Sequence, residues 1–353
     1  MDESALNDAL ADVLGEPPED TRLERLAGDG SDRRYWRLFA THGGAQTSFV
    51  VMDLVGVKNV IASEEVTLYH DESGELPFLN IQRYLAGLGL PVPKVVYDGL
   101  RRGFLLLEDL GDDLLLFVVQ RDPSRTDELY EAAVDLLADL HTKTAAAGPG
   151  ECVAYRQGFE FDLLRWELRH FSDYGIEKTR AGERQIAPDD LAVIEAGYEI
   201  IARRLADRPR VFTHRDYHAR NLHVTERGLV MIDFQDALLG PAVYDLASLL
   251  RDSYIDLGAE RVARLAARYR ERASAGGLAL PDDAAFQRDF DYQCLQRNLK
   301  AAGRFGYFDI IKGNPNFLKD IPRTLGYVRA NLAKYDELRP LQGALAKYVP
   351  ELA

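Results

Sequence analysis

The chain has 353 residues and a formal net charge of −14, with 57 acidic against 43 basic side chains. Such an acidic chain is repelled by the phosphate backbone of nucleic acids, which argues against sequence-independent nucleic-acid binding. Hydrophobic residues make up 46% and charged residues 28%, as in a globular enzyme with one large domain or two lobes around a cleft.

The start of the sequence and its two cysteines bear on the compartment. Residues 1–15 are acidic and predict a short amphipathic helix, not a signal peptide. Cys152 and Cys294 lack metal-ligand spacing, so we expect two reduced thiols. The longest apolar runs are too short to cross a bilayer. We therefore expect a cytoplasmic protein without a membrane partner, and a monomer is compatible with the sequence.

The first 108 residues carry strand and turn signals. The predicted strands are Leu23–Ala27, Arg34–Phe39, Thr47–Leu54, Val95–Asp98 and Gly103–Glu108. A turn at residues 28–32, which contains two glycines, joins the first two strands into a hairpin. Apolar residues at 78, 81, 85 and 88 predict one helix over Pro77–Leu88, which Gly89 ends.

Beyond residue 109 the apolar spacing becomes helical. One stripe consists of Leu129, Ala133, Leu136, Leu137 and Leu140, and a second of Phe161, Leu164, Leu168 and Phe171. The polar stretch Lys178–Pro188 is predicted to be a surface loop. We predict an α+β fold with a small β-rich lobe over residues 1–108, followed by a larger helical lobe over residues 109–353.

The segment VFTHRDYHARNLHV and the following GLVMIDFQDA contain the most specific pattern in the sequence. Two short strands, Leu222–Val224 and Leu229–Ile232, flank a turn and predict a hairpin. Asp216 lies on the loop that enters this hairpin, Asn221 at its start and Asp233 at its end. A hairpin brings such positions to one side, within reach of a shared ligand.

These residue types suit phosphoryl transfer. Asp216 can orient the attacking hydroxyl and accept its proton, which makes it the candidate catalytic base. Asn221 and Asp233 offer the hard oxygen donors that Mg²⁺ prefers. His-Arg-Asp followed by Asn five residues after the Asp, and by Asp-Phe twelve residues later, matches the catalytic-loop and metal-loop pattern of kinases. His214 is expected to organise the loop by hydrogen bonding.

The chain resembles the aminoglycoside phosphotransferase family, which includes choline, homoserine and sugar kinases. The resemblance rests on the glycine turn, the hinge LLLEDLG, the LADLH segment, the catalytic loop and IDFQDA, in this order. Within the family, the segments GDGSDRRYWRL, FVVMD, GLPVPKV, GFLLLEDLG and QRNLKAAGRF are similar to bacterial anomeric kinases of N-acetylmuramate and N-acetylglucosamine. This implies a protein-kinase-like bilobal fold, with ATP and Mg²⁺ as cofactors and an amino sugar as the small-molecule substrate.

The resemblance also implies how the nucleotide is held. The backbone at Gly28, Gly30 and Ser31 would cover the phosphates, and adenine would bond the backbone near Glu108 and Leu110. The Asp109 side chain is expected to be a turn or cap residue.

One position departs from the family pattern. Kinases carry a phosphate-binding lysine on the third strand, and Met52 occupies that place. Arg33 or Arg34 could supply the missing charge, since a planar guanidinium suits phosphate oxygens. The alternative, that both are solvated hairpin arginines, stays open.

The acceptor side is constrained less well. Candidate substrate residues are Tyr217, His218 and Arg220 on the catalytic loop, and Arg297 and Lys300 on a predicted helix over Phe286–Gly303. An acidic sugar would need one such cation, although a solvated helix face is the alternative. His141, Asp236 and Asp245 are expected to be structural, and Glu167 is a weaker acceptor candidate.

Three functions remain open from the sequence. The first is a sugar kinase that phosphorylates the anomeric hydroxyl of an amino sugar for peptidoglycan recycling. The second keeps the chemistry but takes an aminoglycoside or amino alcohol, which would favour an acidic pocket over Arg297 and Lys300. The third is an inactive kinase-like binding module, suggested by Met52 and opposed by the intact Asp216, Asn221 and Asp233.

Overall fold

The computed structural model describes residues 3–26, 34–54, 75–179 and 182–353. The chain forms two compact units, one of Met1–Asp113 with His223–Asp236, the other of Leu114–Leu222 with Ala237–Ala353. We call them the β-rich unit and the helical unit. The sequence prediction places the boundary between the lobes at residues 108 and 109. It assigns residues 223–236 to the second lobe, whereas the structure groups them with the first.

A five-stranded antiparallel sheet is the framework of the β-rich unit, with strand order β1-β2-β3-β5-β4. Its strands are β1 (Asp20–Arg25), β2 (Arg34–His42), β3 (Ala45–Asp53), β4 (Val95–Gly99) and β5 (Phe104–Glu108). All five correspond to strands predicted from sequence, with small shifts at their ends. The glycine turn between β1 and β2 lies outside the described residues.

One face of this sheet is covered by α1 (Glu3–Leu14), the predicted N-terminal amphipathic helix. Leu6 and Leu10 pack there against Leu38, Val51 and Leu106. Side chains alternate between the two faces of a strand, so Met52, next to Val51, points to the opposite face. The predicted second helix is α2 (Pro77–Gly87), which begins with a proline and is followed by Gly89 at φ 68°.

The segment that returns to the β-rich unit is the hairpin of β9 (Leu222–Thr225) and β10 (Gly228–Met231). Its turn contains Gly228 at φ 99°, a left-handed conformation that favours glycine. The Val224 N–H donates to the Asp113 carbonyl (2.7 Å) and the Met231 N–H to the Pro91 carbonyl (2.9 Å). These backbone bonds attach the hairpin to the β-rich unit.

The helical unit consists mainly of α-helices with a few short strands. The helices are α3 (Leu115–Arg121), α4 (Thr126–Ala147), α5 (Phe161–Phe171), α6 (Pro188–Ala206), α7 (Val243–Leu250), α8 (Ala259–Ala275), α9 (Asp283–Ile310), α10 (Ile321–Leu332) and α11 (Arg339–Ala346). The strands are β6 (Lys178–Thr179) with β7 (Gly182–Glu183), and β8 (Arg210–Thr213) with β11 (Leu238–Pro241). The stretch predicted as a surface loop thus contains the small β6–β7 hairpin.

The long helix α9 packs closely against α5 at the centre of the helical unit. A Cβ atom added to Gly303 would come within 2.4 Å of the His170 carbonyl, so only glycine permits this approach. Leu168 of α5 and Leu295 and Leu299 of α9 belong to the same buried cluster. This packing aligns one face of α9 with the end of α5 that carries Glu167. No helix in the described part of the chain is long and apolar enough to span a membrane.

Candidate active site

The loop between β8 and β9 carries the predicted catalytic residues and lies in the helical unit. Two donors bond to the backbone carbonyl of Asp216, the His218 N–H at 3.0 Å and the Asn221 side-chain Nδ2 at 2.9 Å. The Asn221 N–H donates in turn to the His218 carbonyl at 2.9 Å. The loop is therefore tightly turned, and the Asn221 amide has a fixed orientation.

A buried aspartate on α7 holds the first half of the loop. Asp245, which has no exposure, accepts the backbone N–H of His214 at 2.6 Å and that of Arg215 at 2.9 Å. The His141 ring lies 3.6 Å from the same carboxylate and bonds the Tyr269 hydroxyl at 2.6 Å. The expected structural roles of His141 and Asp245 match these contacts.

A second buried aspartate holds the other half of the loop. Asp252 accepts the backbone N–H of Ala219 at 3.1 Å and of Tyr254 at 2.9 Å. Burial raises the pKa of the Asp252 carboxyl, although its two backbone donors favour the ionised form. The loop is thus fixed at both halves by carboxylates on and just after α7.

Arg215 takes a left-handed backbone conformation, with φ 77°, and its side chain points into the protein. Its Nη2 lies 3.3 Å from Oε1 of Glu167, a carboxylate with no exposure. Lys300 Nζ contacts the same oxygen at 2.6 Å, and Gln296 Nε2 donates to the other oxygen at 2.6 Å. A buried carboxylate is tolerated when it is compensated in this way.

Asp216 presents its carboxylate at the surface of this network. Its side chain is 38% exposed, and Oδ1 lies 3.4 Å from Nη1 of Arg297 on α9. Burial raises the pKa of the Asp216 carboxyl, but the positive charges of Arg297 and Lys300 outweigh it and hold that pKa well below its usual range. The two cations therefore favour the charged form of the candidate base.

The other predicted acceptor residues have different environments. Tyr217 is buried, and its hydroxyl donates to the Ala133 carbonyl at 2.8 Å, towards α4. The His218 ring lies edge-on to Tyr254 with centroids 5.7 Å apart. The Arg220 guanidinium lies 4.8 Å from the centroid of that same tyrosine ring. His218, Arg220 and Tyr254 thus form a partly exposed cluster, and His218 and Arg220 follow Asp216 closely in the chain.

In the β-rich unit, the predicted hinge over residues 105–111 consists of most of β5 and the turn after it. The Glu108 carboxylate is occupied by Arg227 Nη2 at 2.7 Å and the Lys94 N–H at 3.1 Å, while the Glu108 N–H donates to the Lys94 carbonyl. Asp109 accepts the Gly111 N–H at 3.0 Å, which is the expected turn contact. Leu110 is half-buried within this turn.

The phosphate side of the nucleotide site is described only in part. Gly28, Gly30, Ser31 and Arg33 lie outside the described residues. Arg34 is 46% exposed and lies 3.1 Å from the buried Asp53 carboxylate, its partner in the β2–β3 register.

Met52 has no exposure, so the position where the family has a lysine is here part of the apolar core.

Asp233, the second predicted metal ligand, belongs to the β-rich unit, whereas Asn221 belongs to the helical unit. It has φ 65°, unusual for a residue other than glycine, and its Oδ1 accepts Gln235 Nε2 at 2.7 Å. The next residue, Phe234, is buried and stacks on Phe78 of α2 at 5.1 Å. This stacking fixes the backbone on which Asp233 is presented.

Two features of the site lie outside the sequence prediction: the buried ion pair of Glu167 and Lys300, which are both acceptor candidates from sequence, and the anchoring carboxylate of Asp252. One available signal was the face of α9, where Gln293, Gln296 and Lys300 recur at helical spacing. A run of polar side chains that repeats on one face of an otherwise apolar helix indicates a buried polar partner.

Comparison with known proteins identifies the family of this chain. A family described as the phosphotransferase enzyme family matches residues 22–280. An N-acetylmuramate/N-acetylglucosamine kinase of Pseudomonas aeruginosa is 33% identical over 96% of this chain and 91% of its own length. A protein of the same name from Neisseria meningitidis serogroup B is 31% identical over 94% and 92%.

Solved structures show the fold. Choline kinase LicA from Streptococcus pneumoniae has a TM-score of 0.57 at 14% identity, covering 93% of this chain and 99% of that one. Amicoumacin kinase hAmiN, in complex with AMP-PNP and Ca²⁺, has a TM-score of 0.58 at 15% identity, covering 88% and 87%. The predicted protein-kinase-like α+β fold is confirmed.

Proposed function

We propose that this chain, which belongs to the phosphotransferase enzyme family, transfers the γ-phosphate of ATP to the anomeric hydroxyl of N-acetylmuramate or N-acetylglucosamine. The products are the sugar 1-phosphate and ADP. Relatives over nearly the whole chain that bear the name of this kinase support the choice of acceptor. The expected place of the reaction is peptidoglycan recycling in the cytoplasm, where ATP is available.

The observation that carries the chemistry is the environment of Asp216. Its carboxylate is partly exposed and contacts Arg297, on a loop that Asp245 and Asp252 hold through its backbone N–H groups. In phosphoryl transfer the protein acts mainly by positioning and by stabilising charge. A carboxylate with a fixed position suits this reaction, since a loose transition state leaves the protein mainly the task of positioning the hydroxyl.

In the proposed step, Asp216 orients the O1 hydroxyl of the sugar towards the γ-phosphorus. A bond forms between O1 and the γ-phosphorus, while the bond from the γ-phosphorus to the β–γ bridging oxygen breaks. The proton of the hydroxyl moves to Asp216, and ADP leaves with the bridging oxygen. Asp216 then returns the proton to solvent.

Asn221 and Asp233 would hold magnesium. Their amide and carboxylate oxygens are the hard donors that Mg²⁺ prefers, and phosphates and water complete its shell. Within the described residues no three His, Cys, Asp or Glu side chains form a metal cluster, and a site of one Asn and one Asp does not require one. When bound, magnesium would neutralise charge on the β- and γ-phosphates.

The β-rich unit would bind the nucleotide. We propose that adenine bonds the backbone at Glu108 and Leu110, because the Glu108 side chain is already engaged by Arg227. Gly28, Gly30, Ser31 and Arg33 remain proposed phosphate contacts from sequence. Arg34 is a candidate for the charge that Met52 does not supply, with Asp53 orienting its guanidinium.

For the acceptor, His218 and Arg220 are the candidates that we retain. Tyr217 is turned into the core by its bond to Ala133, and Lys300 is engaged by Glu167, so we leave both out of the proposed pocket.

Phosphorus NMR of the reaction product tests this function. The protein is incubated with ATP, Mg²⁺ and either amino sugar, and we expect a phosphate signal coupled to the anomeric proton. Kanamycin and choline are offered under the same conditions. Phosphorylation of either of these with no sugar 1-phosphate would contradict the proposal.

A further inference from the structure

We propose that Arg297 is a positioning residue for Asp216 and not a binding residue for the acceptor. This inference rests on the proposed phosphoryl transfer and concerns how its base is held. It also reassigns a residue that the sequence suggested as the cation for an acidic sugar.

The contacts of the guanidinium carry the inference. Nη1 lies within 3.2 Å of the Arg215 carbonyl and 3.4 Å of Asp216 Oδ1, and Nη2 donates to Ser248 Oγ at 2.5 Å. The Tyr244 hydroxyl is a further partner at 3.4 Å, and the guanidinium lies 5.2 Å from the centre of that ring. One side chain of α9 thus bonds the catalytic loop and α7 together.

These contacts suit a residue that orients Asp216 better than one that binds the acceptor. The Arg297 side chain is only 13% exposed, and acceptors from the protein surround its planar fork. A guanidinium bonds several oxygens in one plane, which fixes the direction of each partner. By holding Oδ1 of Asp216 and the carbonyl just before it, Arg297 limits rotation of the carboxylate that must meet the sugar hydroxyl.

Such a role predicts a particular kinetic signature. An interaction that positions the base acts in the transition state, so its loss lowers kcat whatever the charge of the acceptor. A residue that binds the acceptor carboxylate would instead raise KM for N-acetylmuramate, which carries one, and spare N-acetylglucosamine, which does not. The two sugars therefore separate the two roles.

The experiment compares Arg297→Gln with the wild type on both sugars. We expect kcat to fall by about 100-fold on each sugar, since a displacement of about 1 Å at the reacting groups costs that much. We expect unchanged KM values and an unchanged ratio of kcat/KM between the sugars. Arg288→Gln is the matched control, because it removes another α9 arginine, which pairs with Glu337 away from the site. It should retain wild-type kinetics.

If Arg297→Gln does not fold, Arg297→Lys is measured in its place. It keeps one positive charge but loses the planar fork, so we expect an intermediate kcat, again equal for the two sugars. A rise in KM confined to N-acetylmuramate, or wild-type kinetics in both variants, would overturn the proposal. If the wild type phosphorylates neither sugar, the proposed function fails. The role of Arg297 is then tested by the rate of ATP hydrolysis with water as the acceptor, which we also expect to depend on an oriented Asp216.

Discussion

At the scale of single residues, the helical unit places a carboxylate without exposure next to two cations. Glu167 receives Arg215 and Lys300 on one oxygen and Gln296 on the other. Buried charges are costly to desolvate, so such a cluster is stable only as a complete set. The cluster also contacts the side chain of Arg215, whose backbone is left-handed directly before Asp216, and backbone strain of this kind is common at functional sites.

Removing the charge of Glu167 should therefore destabilise the protein strongly. Glu167→Gln leaves Arg215 and Lys300 buried without their anion, and we expect the free energy of unfolding to fall by about 3–5 kcal/mol. Urea unfolding followed by circular dichroism measures the change. Glu199→Gln is the control, because Glu199 pairs with Arg203 on the exposed face of α6 and should contribute less than about 1 kcal/mol. If both changes lowered the free energy of unfolding equally, the burial of Glu167 would not explain its contribution to stability.

The proposed base gives a second prediction at this scale. Asp216→Asn keeps the size of the side chain but cannot accept a proton, so kcat should fall by about 100- to 10,000-fold. Binding of ADP, measured by calorimetry, should stay close to that of the wild type because the nucleotide residues are elsewhere. Turnover of ATP and sugar at the wild-type rate would show that Asp216 is not the base.

At the scale of secondary-structure elements, α7 is the support of the catalytic loop. Asp245 near its start holds the N–H groups of His214 and Arg215, and Asp252 just after its end holds that of Ala219. The apolar residues of α7 are buried throughout, so the helix itself cannot shift without disturbing the core. The loop therefore takes its shape from a buried helix and not from its own sequence alone.

Replacing one anchor should affect stability and catalysis together. In Asp245→Asn one oxygen becomes an NH₂ group, which faces a backbone N–H and leaves that donor unsatisfied. We expect a loss of about 2 kcal/mol in the free energy of unfolding, together with a lower kcat. Asp256→Asn is the control, since Asp256 accepts the Gly258 N–H in an exposed turn. A fully active Asp245→Asn variant would argue against the anchoring role.

At the scale of the whole molecule, local patterns predicted some features well and others not at all. The strands, α2 and the catalytic spacing were predictable because turn residues, apolar periodicity and a short motif are all local. The buried network was not, since Glu167 lies 48 residues before Arg215 and 133 residues before Lys300. Which helices meet is decided by packing, such as the close approach at Gly303, and no local pattern encodes it.

The division of the chain into two units is a further feature that local sequence patterns do not predict. The sequence predicts a hairpin after Asn221, and the structure has it, but its membership of the β-rich unit depends on two backbone bonds to Asp113 and Pro91. Every residue except proline carries the same backbone N–H and C=O groups, so the partners of these groups leave no trace in the sequence. As a result the two proposed metal ligands, twelve residues apart, belong to different units.

The metal proposal can be tested by comparing single and double variants of the two proposed ligands. If Asn221 and Asp233 bind one magnesium ion, Asn221→Ala and Asp233→Ala should each raise the Mg²⁺ concentration needed for ADP binding, by about tenfold or more. The double variant should then be little worse than the poorer single variant, because either change already disrupts the shared ion.

Calorimetric titration of ADP at several Mg²⁺ concentrations measures this without turnover. Glu226→Gln, an exposed change in the turn between the two residues, should behave as wild type. Additive effects of the two alanine changes would show that Asn221 and Asp233 act independently.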